Sequence, residues 1–192
     1  MSEILSLKNA AVVVTGSTGF IGSHLIDYLV GHGCTIHALV RETSDQRWLN
    51  KSDQVKVHVV DFAKSSSISC LEKADYLFHC AGLTKAKTKD DYFCGNVYSC
   101  EVLYERCVAI GSNLKAIVHL SSLAAAGPNV QGEAAQEKDP CKPVTYYGES
   151  KLAGERIALK YSSLLPIVII RPPVVYGPRE ENFFIYLKTL SQ

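Results

Sequence analysis

A doubly wound α/β fold around a parallel sheet is predicted by three observations. Apolar runs of strand length alternate with helix-like segments along the chain. Most of these runs are continuous rather than alternating, as expected of strands covered on both faces of a parallel sheet. The first run leads directly into Thr15-Gly16-Ser17-Thr18-Gly19-Phe20-Ile21-Gly22, where three glycines spaced three apart open a helix-like segment. Strand-helix-strand units repeated this often, joined by right-handed crossovers, wind helices onto both faces of one sheet.

The elements follow in order. Ala10 to Val14 is the first strand. Phe20 to Val30 is a helix with Ile21, Leu25 and Leu29 on one stripe, and Gly31 and Gly33 are its stop signals. Thr35 to Val40, Val55 to Val60 and Tyr76 to His79 are the next strands. Asp90 to Ile110 reads as one long helix, with Val97, Leu103, Cys107 and Ile110 at helical spacing. Ala116 to Leu120 is the fifth strand. Gly127 to Pro143, rich in Gly, Pro and Asp, reads as a long surface loop of the kind that is often functional. Thr145 to Tyr161 is a helix and Ile167 to Ile170 the sixth strand. After Arg171 to Pro178 one short amphipathic helix is expected, Phe183 to Leu190.

The 192 residues are 47% hydrophobic and 20% charged, with a net charge of +1, an ordinary globular composition sufficient for one domain. There is no basic block to suggest nucleic acid, and no apolar run approaches bilayer length, so neither partner is expected. Met1 to Lys8 lacks a basic start and a cleavable apolar segment, so a cytoplasmic location follows by default. The seven cysteines are odd in number and lack C-x-x-C spacing, which argues against a disulfide framework or a zinc site. Cys80 and Cys107, in apolar patterns, read as small buried hydrophobes. The six histidines are scattered, some within strands, so core or edge positions are expected and no metal. No G-x-x-x-x-G-K-[ST], H-E-x-x-H or G-x-S-x-G pattern is present.

In this strand-turn-helix context Gly16 permits a tight turn, Gly19 a close approach to phosphate, and Gly22 packing of helix on sheet. Amide donors at the helix start, including those of Phe20 and Ile21, suit a pyrophosphate, so the loop including Thr18 is expected to bind a dinucleotide. The second strand ends at Val40-Arg41, where an acid would accept from the ribose hydroxyls of NAD. A guanidinium there can hold a 2′-phosphate, so NADP is favoured over NAD. Arg47 is a further candidate for a phosphate. Asp61-Phe62 ends the third strand, where Asp61 serves either the adenine amino group or a helix N-cap.

Tyr147 and Lys151 lie four apart on one helix face. An adjacent ammonium is expected to lower the phenol pKa, so that Tyr147 exchanges protons near neutral pH. Tyr146, five residues from the lysine, is off that face. Ser121 or Ser122, at the end of the fifth strand, can hydrogen-bond a substrate oxygen.

The chain resembles the extended short-chain dehydrogenase/reductase superfamily, the NAD-dependent epimerase/dehydratases and dihydroflavonol-reductase-like enzymes. The resemblance rests on the TGxxGxxG loop, His79-Cys80-Ala81-Gly82, Asn96-Val97, Ser121-Ser122, Tyr147 with Lys151, and Arg171-Pro172-Pro173-Val174-Val175-Tyr176-Gly177-Pro178. It implies a Rossmann domain over residues 1–192, cut short at its C-terminal end, with the family's smaller substrate-binding region largely absent. It implies Ser122, Tyr147, Lys151 and Asn96 as the catalytic set, with Ser122 about 25 residues before the tyrosine. Ala81, Gly82 and Pro173 would line the cofactor, and Cys80 would pack. A small-molecule substrate follows, a sugar nucleotide or small ketone. The long helix 90–110 could form a homodimer bundle, although packing on the sheet explains its apolar positions equally. A catalytically silent dinucleotide-binding scaffold or redox sensor is the alternative function.

Overall fold

The glycine turn sits at the centre of the sheet because the first strand does. In the computed structural model, which describes residues 7–62, 68–128, 134–180 and 188–189, six strands form one parallel sheet. They are β1 (Ala11–Thr15), β2 (Thr35–Val40), β3 (Val55–Val59), β4 (Tyr76–His79), β5 (Ala116–Leu120) and β6 (Ile167–Ile170). Their order is β3-β2-β1-β4-β5-β6. The chain reverses direction across the sheet between β1 and β4, which opens a crevice at their carboxyl ends, where ligands gather in such folds.

The helices are α1 (Phe20–Gly31), α2 (Lys89–Phe93), α3 (Ser99–Ala109) and α4 (Tyr146–Tyr161). The pleat divides the core. Val12, Val14, Ile36, Ala38 and Val40 pack with Ile26 and Leu29 of α1 on one face. Val13, Leu39, Leu77 and Ile117 pack with Leu103 and Cys107 of α3 and Ala158 of α4 on the other. Cys107 is therefore the small buried hydrophobe expected.

Two expectations change. The edge strands are not covered on both faces: Val57 and Val59 of β3, and Val168 and Ile170 of β6, are exposed because α1 lies over the central strands. The long helix is three segments. Thr88 caps α2 through a capping box with Asp91, and a π-helical turn, Cys94–Tyr98, separates α2 from α3. The wider turn brings Asn96 inward, where it is buried, and places Gly95 against Leu83, with no room for a side chain. Helix 183–190 falls outside the described residues except 188–189, and the loop 127–143 is described outside 129–133.

Candidate functional site

The glycine loop folds as its composition requires. Gly16 adopts φ +66°, and a Cβ there would come within 2.7 Å of the Cys80 and Ala81 backbone. At Gly22 a Cβ would collide with the Gly16 carbonyl. Gly19 caps α1 in extended conformation with no side-chain cap, so amides of the first helical turn remain for an anion. Ser17 donates to Val14 O at 2.7 Å and Leu39 O at 3.2 Å, tying β1 to β2 beneath the turn. Thr15 Oγ1 meets His79 Nδ1 at 2.7 Å and accepts from Ala81 N at 3.1 Å, which fixes the opposite wall.

The crevice has two chambers that share Gly16, Gly19, Cys80 and Gly82. One, about 270 Å³, is lined by Thr18, Leu39, Val40, Arg41, Ser44, Val60, Phe62 and Ala81 among others. Asp61 is exposed and does not line it. Arg47, which the sequence leaves to serve a phosphate or nothing at all, pairs with Asp45, stacks 4.3 Å over Trp48 and does not line this chamber.

The other chamber, about 260 Å³, holds Phe20, Ile21, Gly22, Ser122, Tyr147, Lys151, Pro172, Pro173, Val175 and Glu180. Thr145 caps α4 on Gly148 N, which sets the helix end from which Tyr147 projects. Ser122 and Tyr147 face the same chamber, and Ser122 Oγ accepts from Ala124 N at 3.2 Å. Ser121 also lines this chamber but is buried, with its hydroxyl donated to Glu155 Oε1. Lys151 is buried and donates to Leu120 O at 2.7 Å. Asn96 is not in the lining. Its Oδ1 accepts from Leu83 N at 2.6 Å, and its Nδ2 donates to Leu83 O at 3.0 Å and Ser150 Oγ at 2.9 Å. Asn96 thereby clamps the exit from β4 to α4.

The expected phenol pKa is overturned. Burial pushes Tyr147 above its ordinary value, the neighbouring Ser122 hydroxyl opposes this, and the Tyr92 phenol adds to it. Lys151 is not among the groups acting on the phenol. Its own pKa is lowered, chiefly by burial. The neutral phenol is the resting form.

Behind the serines lies a network with no local spacing to announce it. Glu155, 2% exposed, takes two bonds from Arg171, Nε at 2.8 Å and Nη2 at 2.6 Å. Arg171 also donates to Cys141 Sγ at 3.2 Å, joining β6, α4 and the long loop. Thr84, Leu83 and Glu180, which sequence reasoning missed, also face the crevice, and Cys80, expected only to pack, lines both chambers. Beyond Tyr147 a wider apolar cleft of about 820 Å³ opens between Leu123, Pro128, Val144 and Pro172 to Val175.

A known family matches most of the chain that carries this crevice. The description "NAD dependent epimerase/dehydratase family" fits residues 12–188. The chain belongs to that family. It is 32% identical over 170 residues to ceramide reductase of Caulobacter vibrioides, an alignment covering 87% of this chain and 47% of that protein. To UDP-glucose 4-epimerase of Vibrio cholerae it is 28% identical over 194 residues, covering 95% and 57%. Among solved structures, UDP-glucuronic acid 4-epimerase from Bacillus cereus in complex with NAD superposes with a TM-score of 0.79 at 25% identity, covering 89% of this chain and 58% of that one. The chain thus spans about half the length of the curated relatives it matches. No helix among the described residues is long and apolar enough to cross a membrane.

Proposed function

We propose that the chain is the dinucleotide-binding part of an NAD(P)-dependent oxidoreductase or epimerase that acts at a carbinol or carbonyl carbon of a sugar nucleotide or small ketone. The observation that carries this reading is that Ser122, Tyr147 and buried Lys151 line one chamber of the crevice together with the glycine turn.

Gly16, Thr18, Gly19, Phe20, Ile21 and Gly22 would hold the diphosphate. Val40, Arg41 and Phe62 would hold the adenosine end, with Arg41 favouring a 2′-phosphate and so NADP. Ala81, Gly82, Lys151 and Pro173 would hold the nicotinamide end. When bound, the nicotinamide supplies hydride transfer to or from the substrate carbon. Tyr147, protonated at rest, gives its phenolic proton to a ketone oxygen, and in the reverse direction the phenolate takes the proton of a carbinol. Ser122 donates to the same oxygen and orients it. Lys151, fixed on Leu120 O, presents its remaining N–H groups toward the crevice. Asn96 acts through Leu83 and Ser150 and is a positioning residue.

Replacing Tyr147 by Phe tests the assignment. Ketone reduction or carbinol oxidation should fall about 10²–10⁴-fold, while NADH binding is unchanged. Because the chain spans only part of its relatives, we expect cofactor binding with slow turnover, and the ratio between variants is the readout. Equal turnover by Tyr147→Phe overturns the role of the phenol. Cofactor that survives purification would favour epimerisation, which needs it held throughout. Cofactor that exchanges freely would favour reduction.

A further inference from the structure

Beneath the adenine-side wall, three elements converge on two imidazoles and a thiol. His37 of β2 and His58 of β3 lie on adjacent parallel strands, and both side chains fall on the sheet face that carries Leu39 and Val60. His37 Nδ1 and His58 Nε2 are 2.9 Å apart. The 3₁₀ turn Ser69–Lys73 crosses this face and brings Cys70 Sγ to them, with all three ligand atoms within 4.8 Å of one another. The group is half-buried. A cavity of about 310 Å³, lined by Val57 to Val60, Ile68, Ser69 and Cys70, opens beside it and provides a way in.

The same donor types meet a second time. His79, Cys100 and His119 lie deep between β4, β5 and α3. In that group His79 and Cys100 are already committed to internal bonds, and His119 Nε2 alone has no partner among the described residues. Cys100 Sγ bonds His79 Nε2 at 3.1 Å and donates to Asn96 O at 2.9 Å. The Lys151 ammonium acts on all three side chains, and each is 1% exposed or less. A cation there would lose water, displace these bonds and sit beside a positive charge. At His37 the neighbouring charge is Lys56, which is exposed and screened by solvent.

We propose that His37, His58 and Cys70 bind a borderline divalent transition metal, with Zn²⁺ the best match to two imidazoles and a thiolate. Zinc–nitrogen bonds of about 2.0–2.1 Å and zinc–sulfur bonds near 2.3 Å set tetrahedral ligand atoms roughly 3.3–3.8 Å apart. The imidazole pair must therefore open by a few tenths of an ångström and the thiol close by less than about 1.5 Å. Binding releases the thiol proton, the ring proton between Nδ1 and Nε2 moves to the other nitrogen of its own imidazole, and water completes the coordination. The metal would fasten the edge strand β3 and the 3₁₀ turn to β2. Leu39, Val40, Val60 and Phe62, the adenine-side wall, stand directly on these segments.

The test uses the metal-free chain. Zn²⁺ should bind with one equivalent and raise the unfolding midpoint. Co²⁺ should give a sulfur-to-cobalt charge-transfer band and the intense visible bands of a tetrahedral ion. Cys70→Ser should abolish the charge-transfer band, and both it and His58→Gln should weaken Zn²⁺ binding at least about tenfold. Cys94→Ser, at an exposed thiol, should change neither. In the unaltered chain, Zn²⁺ should protect Cys70 from alkylation, read by peptide mass, which guards against a variant that misfolds. Absence of one-to-one binding, a band that survives Cys70→Ser, or a Cys70 alkylated equally fast with Zn²⁺ each overturns the proposal.

Discussion

The two chambers of the crevice are built differently. Behind the Tyr147 side lie polar groups that hold one another: Lys151 on Leu120, Ser121 and Arg171 on Glu155, Asn96 on Leu83 and Ser150. The Arg41 side has buried Thr15 and Ser17 at the glycine turn, but away from it the wall is apolar strand ends and an exposed arginine whose amide bonds Ser44 Oγ at 3.0 Å. Chemistry that must align reacting atoms gains from preorganisation, and the first side supplies it. On the proposed reading the second needs only to grip an adenosine and can be adjusted by one side chain. If this contrast holds, changes on the Tyr147 side should cost stability, and changes on the Arg41 side only affinity.

The largest stability loss is expected from Glu155→Ala. It leaves the Arg171 guanidinium, 26% exposed, and the buried Ser121 hydroxyl without their acceptor. Removing one partner of a buried pair costs about 3–5 kcal/mol, and the partial exposure of Arg171 places this case near the lower end. Urea unfolding measures it, and a loss below about 1 kcal/mol would mean that the network does not brace this side. Burial raises the Glu155 pKa, but the bonds from Arg171 and Ser121 outweigh it and hold the carboxyl below its usual range. A depressed carboxylate contributes stability above its unfolded pKa and loses it as pH falls through the folded one.

Buried imidazoles add a second acid sensitivity at higher pH. His119 is held neutral down to about 3, chiefly by burial and then by Lys151, and His79 is also pushed well below its ordinary value by burial. In the unfolded chain both take up protons as pH drops through about 6.5, while the folded chain does not. Stability should therefore be complete above pH 7 and fall by roughly 1.4 kcal/mol per pH unit for each imidazole below it. Urea midpoints between pH 7.5 and 5 should show this slope, and His119→Gln should reduce it. A flat profile over that range would contradict the burial of both rings.

A matched pair of glycine changes separates structure from grip within one turn. Gly22→Ala forces a methyl group into the Gly16 carbonyl, backbone against backbone, and should destabilise by about 1–3 kcal/mol. At Gly19 a methyl group meets only Gly16 O, at 3.3 Å, and otherwise points into the crevice. Gly19→Ala should leave the unfolding midpoint nearly intact and weaken NADH binding. Equal effects of the two changes on stability would remove the distinction.

The difference between chambers also governs what sequence could reveal. The glycine turn was legible because its residues are consecutive and its geometry is local. The strands were legible to within a residue because parallel strands are continuous apolar runs. The π-helical turn was not, since Val97, Leu103 and Cys107 keep an apolar pattern that a single widened turn hardly disturbs. Glu155 and Arg171 were invisible as a pair because the packing of α4 on β6 brings them together. His79 and His119 are register partners on β4 and β5, and His37 and His58 meet across β2 and β3. Contacts of that kind follow from strand order, which spacing along the chain does not encode. The phenol pKa was misjudged for a related reason: helical spacing puts Lys151 on the face of Tyr147, but the ammonium turns to Leu120.

The smallest expected effect bears on the open chamber. Arg41 is exposed at the end of β2 and has Ser44 beside it, so its guanidinium is free to turn over the adenosine end without disturbing the core. A 2′-phosphate held there gains a charge-assisted bond worth about 1.5–3 kcal/mol in a protected site and less in water, because exposed charges are screened. Arg41→Ala should thus weaken NADPH about tenfold at low salt, leave NADH binding unchanged, and spare the unfolding midpoint. The tenfold difference should shrink as salt is raised. Equal loss for both dinucleotides would make Arg41 a general part of the wall, and loss for neither would leave the ribose end read by Val40 and Phe62 alone. The first outcome would erase the contrast between the chambers, because an exposed side chain would then bear on the whole crevice as the buried network does.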